Sequence, residues 1–383
     1  MRSLDWRKKT IAANNRRRET ADGESDQEIK GVHKMKCVAA GDIFITPEMM
    51  RDAIETYGDL FDECRYFYFG LENRKAMRDI VKIIERGGRE ECELPKGLME
   101  AVRDADVLMV HLCPVTRKML SHTEKLKYIL CNRGGVENVD VEAAAEKNIW
   151  VMANPAHNAN AVAEFTVGLI FSEIRNISRA HYALKGGEWR EKYPNFGRII
   201  ELKDLTVGIV GFGNIGELVC EKLSGFGCQI LISSPWEPKR VNPRINWDKV
   251  RYVDLDTLIA GSDIISLHVR SEEKKALIGE REFEMMKRTA YLINTSRSYM
   301  VDNAALYKAL SAQQIEGAAV DVFDKEPLGM DDPFLELDNI TLTNHRAGDT
   351  LNAYKDSPEM MLTELAGWLT AKKLPRFLVS GKG

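Results

Sequence analysis

The sequence predicts an α/β fold built from two doubly wound parallel-sheet domains, the first one discontinuous. Three observations carry this. Short apolar or β-branched runs alternate with longer helical stretches over most of the chain, which is the bookkeeping of βαβ units and hence of a parallel sheet. One of those runs feeds a glycine-rich turn that opens a helix. With 383 residues, the chain has room for two or three domains of roughly 100–200 residues each.

Composition narrows the class of function. Hydrophobic residues make up 44% and charged residues 29%, too apolar for a disordered chain. Lys and Arg total 54 against 58 Asp and Glu, so a net charge of -4 gives no global pull toward nucleic acid or anionic lipid. No apolar stretch approaches the roughly 18 residues that span a bilayer, and the N-terminus lacks the apolar core of a secretory signal. A cytoplasmic protein with no membrane or nucleic-acid partner is expected. The cysteines Cys37, Cys64, Cys92, Cys113, Cys131, Cys220 and Cys228 are odd in number, scattered and free of any CxxC pair. They read as reduced, mostly buried thiols, and no metal site is expected.

Taken in order, residues 1–34 mix basic and acidic clusters without periodicity and are expected to be a disordered or additional N-terminal tail. Arg16-Arg17-Arg18, followed by Asp22, Glu24, Asp26 and Glu28, reads as a solvated stretch of it. Residues 36–45 read as a strand, 47–57 as a helix, 64–69 as a strand and 72–86 as a helix. VLMVHL (107–112) and YILCN (128–132) are further strands, the latter running into the turn Arg133-Gly134-Gly135-Val136. A long helical pattern opens near Asn158, with Val162, Phe165, Val167, Leu169 and Ile170 apolar, and suits a connector. LTVGIV, QILIS, DIISLHV, AYLINTS, GAAVDVF and ITLTN then supply six strands, enough for a complete Rossmann-like sheet. A last helical stretch, 350–371, is expected to pack back on the first domain. The predicted domains are 35–152 plus 346–383, and 153–345.

The second set opens with the chemistry. Gly211-Phe212-Gly213-Asn214-Ile215-Gly216 follows the strand 206–210 and begins a helix, so a pyrophosphate can rest on glycine backbone at a helix N-terminus. The motif predicts an acidic residue at the end of the next strand to bind a ribose. Ser233 and Ser234 stand there instead, with no carboxylate before Glu237 and with Lys239 and Arg240 beyond it. Without that carboxylate nothing repels a 2'-phosphate, so NAD and NADP both remain open.

Reducing a 2-oxo acid takes a cation for the carboxylate, a proton donor for the carbonyl oxygen and a group that holds the donor. Arg297 ends LINTSR and can grip a carboxylate in bidentate fashion. His345 ends ITLTNH and suits proton donation at neutral pH. Glu326, in AVDVFDKEP, would orient that imidazole and favour its charged form. Singly, each of these is more often a solvated or structural residue.

Order and spacing add to this. The stretches RGGVENVD (133–140), NANAVAE (158–164), TVGIVGFGNIG (206–216), MKRTAYLINTSRSYMVD (286–302), GAAVDVFDKEPL (317–328) and TLTNHRAG (341–348) resemble the D-isomer-specific 2-hydroxyacid dehydrogenase family, of the phosphoglycerate dehydrogenase-like kind. The resemblance runs from about residue 36 to the C-terminus. It implies an NAD(P)-dependent enzyme that interconverts a 2-oxo acid and a D-2-hydroxy acid. Arg297 would bind and polarise the substrate, Glu326 would support His345, and His345 would transfer the proton. Gly134, Gly135 and Val136 would hold the substrate carboxylate through backbone N–H groups. Asp321 would face the nicotinamide amide, His268 and Val269 would line the cofactor, and Thr295, Ser296, Ser234 and Gly348 would complete its contacts. A homodimer formed through the cofactor domains is implied as well.

The chain departs from the family pattern at several places. His345 sits in Asn344-His345-Arg346 where the family usually has Pro-His-Ile, Ser298 replaces Gly or Ala, Arg270 stands where many members have Pro, and Ser234 replaces the ribose-binding Asp. Arg346 and Arg270 could read a second anionic group. His111 fits no catalytic position. A rival reading is a nicotinamide-sensing, corepressor-like binding protein of the same fold, which would bind the dinucleotide and reduce oxo acids negligibly.

Overall fold

In the computed structural model, residues 33–235, 241–269 and 275–380 are described. The expected tail, Glu237, Lys239, Arg240 and Arg270 therefore lie outside the described residues, apart from His33 and Lys34 of the tail.

The central strands form where apolar runs can be buried on both faces, while the edge strands are more exposed. In the first sheet the strands are β1 (Met35–Gly41), β2 (Phe61–Tyr68), β3 (Val107–Val110), β4 (Tyr128–Cys131) and β5 (Trp150–Ala153). β1 ends four residues before the expected point because the Asp42 carboxylate accepts the N–H groups of Phe44 at 2.9 Å and Ile45 at 3.3 Å, turning the chain. The second sheet holds β6 (Thr206–Val210), β7 (Gln229–Ser233), β8 (Val250–Tyr252), β9 (Ile264–Leu267), β10 (Tyr291–Asn294), β11 (Gly317–Val320) and β12 (Ile340–Leu342), in the order β12-β11-β10-β9-β6-β7-β8. Its pairs are all parallel. β9, β10 and β11 are buried at every residue, as a sheet covered on both faces requires. β13 (Leu378–Ser380) adds an antiparallel edge to β5, giving the first sheet the order β13-β5-β4-β3-β1-β2.

Contacts divide the chain into two units. One comprises the residues through Leu130, Glu137–Met152 and Met361 onward, and the other Cys131–Val136 and Ala153–Met360. The return to the first unit thus falls at Met361, not at Arg346 as expected. Residues 346–360 are tied into the second unit, where Arg346 and Ala347 donate N–H groups to Asp321 at 2.9 and 3.0 Å and Asn154 donates to the Ser357 hydroxyl at 2.9 Å. In the first unit Trp368 stacks on Trp150, with centroids 4.4 Å apart.

The long helical pattern resolves into α1 (Ala159–Arg175) and α2 (Ile177–Lys185). Between them Asn176 takes the left-handed conformation, φ 56°, which Asn tolerates better than most residues, and its amide donates to Asn195 at 2.6 Å. α3 (Asn214–Ser224) follows the glycine-rich turn. Among the described residues no helix is long and apolar enough to cross a membrane.

Candidate active site

The three motif glycines serve three different ends. Gly211 has φ 94°, and a Cβ there would lie 2.7 Å from the His268 carbonyl oxygen and 2.4 Å from Val269 Cγ1. At Gly216 a Cβ would fall 2.1 Å from the Gly211 oxygen, so only glycine lets α3 start against β6. Gly213 is different, since a Cβ would meet nothing within 4 Å. It caps α3 and has no side chain to take the first-turn N–H groups, which leaves them and the open space beside them to an anion. The residues present therefore fit a dinucleotide pyrophosphate. Phe212 contributes only backbone to this turn. Its ring packs edge-on to Trp247 and Tyr252, at centroid distances of 6.2 and 5.9 Å. Ser234 directly follows β7, whose Ser233 carbonyl accepts the Gly211 N–H at 2.8 Å.

Each proposed catalytic side chain leaves the C-terminal end of a strand, or the loop that follows it, the edge where open α/β sheets bind ligands. Asn294, last in β10, accepts the Ser296 N–H at 3.1 Å and hydroxyl at 2.9 Å, and donates to the Arg297 carbonyl at 3.0 Å. That brace fixes the turn that presents Arg297. The buried Asp321, just past β11, accepts the Thr343 hydroxyl at 2.6 Å as well as the two N–H groups after His345. Its carboxylate thus clamps both sides of the turn in which His345 takes φ 55°. His345 Nδ1 lies 2.9 and 3.1 Å from the Glu326 oxygens, one of which also accepts the Phe323 N–H at 3.0 Å. A carboxylate only accepts, so Nδ1 carries the hydrogen and Nε2 is the nitrogen left to exchange protons.

One cavity of about 270 Å³ collects much of this. Ile215, His268, Val269, Thr295, Ser296, Arg297, Asp321, His345 and Gly348 line it. Burial pushes the His268 imidazole down to about 3, and its Nε2 sits 2.8 Å from the Ser266 hydroxyl, so this ring is neutral. Gly134, Gly135 and Val136 belong to the same unit but not to the wall of this cavity. Glu326 stands behind His345. Asn214 faces a neighbouring cavity of about 650 Å³ that also holds Glu164, Glu217 and Asp356, acidic surroundings unsuited to phosphate.

The sequence reading had no role for His157, Asn158, Val162, Ala347, Asp349 or Tyr354, which complete the wall. A signal existed for Asn158, which opens the NANAVAE stretch; none exists for Tyr354, which arrives through tertiary packing. Asp349 takes the Arg346 guanidinium at 2.8 Å and the Tyr354 hydroxyl at 3.1 Å. Arg346 is thereby engaged within its own turn. His111 is bonded to the buried Asp42 at 2.9 Å in the first unit, a structural pairing.

Comparison with known proteins points to one family. Residues 167–347 match the model of the D-isomer specific 2-hydroxyacid dehydrogenase NAD binding domain. Over 287 residues the chain is 38% identical to a glyoxylate reductase of Thermofilum pendens, covering 73% of this chain and 82% of that protein. It is 37% identical over 308 residues to a D-3-phosphoglycerate dehydrogenase of Methanocaldococcus jannaschii, 78% of this chain and 55% of the other, so it spans about half the length of that relative. The NAD-complexed D-isomer specific 2-hydroxyacid dehydrogenase of Lactobacillus delbrueckii ssp. bulgaricus shares the fold, with a TM-score of 0.68 at 22% identity over 90% of this chain and 100% of that one.

Proposed function

The chain belongs to the D-isomer-specific 2-hydroxyacid dehydrogenase family, and from that premise we propose that it reduces a short 2-oxo acid to the D-2-hydroxy acid with His345 as proton donor. The class is an oxidoreductase using NAD or NADP. The observation that carries the finer reading is the meeting of Arg297 and the Glu326-held His345 at one cavity that also contains Ile215 of the glycine motif.

The Gly211–Gly216 turn would hold the dinucleotide, with Thr295, Ser296 and Asp321 toward its reactive end. When bound in reduced form, it supplies the hydride that adds to C2 of the oxo acid. Arg297 grips the substrate carboxylate through its planar fork and draws electron density from the carbonyl. As negative charge grows on the carbonyl oxygen, His345 Nε2 delivers its proton there, while Glu326 keeps the ring aligned and balances its charge. Neutral His268 adds no competing cation. Asp321 already accepts three hydrogen bonds, and a carboxylate has room for one more, from the carboxamide. Glyoxylate and hydroxypyruvate are the substrates that names among the relatives suggest.

A homodimer is part of the proposal. Ile177, Tyr182, Leu184, Trp189, Phe196, Ile199 and Ile200 all stand exposed within residues 177–200 of the second unit, an apolar surface suited to a second copy.

The test is loss of reduced-cofactor absorbance with NADH and NADPH against glyoxylate, hydroxypyruvate, its phosphorylated form and branched 2-oxo acids. Turnover is expected with at least one of them. His345→Ala should lower kcat by about 10³-fold while dinucleotide binding, followed by fluorescence, stays within about twofold. Tight NADH binding with no turnover on the whole panel would overturn the reading in favour of a nicotinamide sensor.

A further inference from the structure

β1 and β2 pair in parallel register, with Cys37 opposite Cys64 and Ala39 opposite Tyr66. Registered residues on neighbouring parallel strands point to the same face, and their Cα atoms lie about 4.8 Å apart. A disulfide spans roughly 4.4–6.8 Å between Cα atoms. Cys37 is buried while Cys64 is half-buried, on the strand that forms the edge of the first sheet. Cys64 is thus the more accessible of the two, and an edge strand held on one side only can make the small shift that brings two sulfurs into bonding distance.

From this juxtaposition we propose that Cys37 and Cys64 are a peroxide-reactive thiol pair, with Cys64 attacking and Cys37 resolving to a reversible disulfide. The local chemistry assigns those parts. Interaction with the Cys37 thiol and the Tyr66 hydroxyl holds the Cys64 thiol below its usual range, against partial burial and the charges of Asp62 and Glu63. The same interaction with Cys64, together with burial, pushes the Cys37 thiol up. The thiolate is the nucleophile, so Cys64 reacts first.

In the first step the Cys64 thiolate attacks one oxygen of hydrogen peroxide. The O–O bond breaks, the departing oxygen leaves as water with the proton Cys64 had given up, and Cys64 becomes a sulfenic acid. Cys37 sulfur then attacks the Cys64 sulfur, the S–O bond breaks and a second water leaves with the Cys37 proton. Two thiols are oxidised and one peroxide is reduced to two waters.

The experiment treats the native full-length protein with hydrogen peroxide, alkylates the remaining thiols and maps peptides by mass. Two of the seven thiols should be lost. The intact mass should fall by two hydrogens, the peptides carrying Cys37 and Cys64 should be linked, and dithiothreitol should reverse the change. In Cys37→Ser, dimedone should instead trap a sulfenic acid at Cys64. Retention of all seven thiols, oxidation of Cys64 with Cys37 still alkylatable in the wild type, or a link to any other cysteine would overturn the assignment. The wild-type map decides the matter even if the variant folds poorly.

Discussion

His345 meets Glu326 from a left-handed backbone conformation that costs a non-glycine residue on the order of 1–2 kcal/mol. Three hydrogen bonds to Asp321 hold the turn there, so a residue read from the resemblance as a cofactor contact is also the clamp of the proton donor. The residue types of the triad were legible because each ends a strand or its following loop inside a recognisable stretch. The clamp was not, since nothing in AVDVFDKEP says that its first Asp accepts backbone N–H groups from residues 25 and 26 positions on. Ser234 offers the sharpest test at this scale. It occupies the position after β7 where a carboxylate would accept the ribose hydroxyls and repel a 2'-phosphate. Ser234→Asp should therefore raise the ratio of kcat/KM for NADH over NADPH by about tenfold or more. An unchanged ratio would mean that the ribose is read elsewhere.

The elements were legible in proportion to their length and apolarity. All six expected strands of the second sheet formed, whereas β8, the three residues Val250–Tyr252 with Arg251 in the middle, is too short and polar to signal itself. The helical pattern after Asn158 predicted one element where the structure has two, because Asn176 can adopt a conformation that periodicity does not encode. Across that break Glu173 of α1 accepts from Arg179 of α2 at 2.9 Å, and both are buried. Burial raises the Glu173 carboxyl to about 6, with the Arg179 charge acting against it. The folded protein thus holds this proton more tightly than the unfolded chain does. The contribution to stability is complete below the unfolded value of 4.5 and is lost as pH rises through about 6. It amounts to about 2 kcal/mol. Urea unfolding at about pH 4.5 and 7 should show wild type losing that much more than Glu173→Gln between the two conditions. Equal losses would place the titration elsewhere.

At the scale of the whole molecule, the chain leaves the first unit after Leu130, leaves it again after Met152 and re-enters at Met361. A discontinuous first domain was readable from the order of strands and helices, but its boundaries were not, because they depend on where residues 131–136 and 346–360 find hydrogen-bond partners. The same limit applies to association. Tyr182 and Trp189 are 84% and 82% exposed, beside five more large apolar side chains in the same stretch, and a pattern of residues alone does not distinguish such a surface from a core. Leaving seven large apolar side chains of one stretch in water is unfavourable, and a second copy presenting the same stretch about a twofold axis would cover them. Sedimentation of the wild type at micromolar concentration should give the mass of two chains. The double variant Tyr182→Glu and Trp189→Glu should sediment as one chain, since two charges per protomer would have to be buried against their symmetry mates. Both substitutions lie on exposed side chains outside the cavity that holds His345, so circular dichroism should show the fold intact. A monomeric wild type, or a variant that remains dimeric, would mean that this surface has another use.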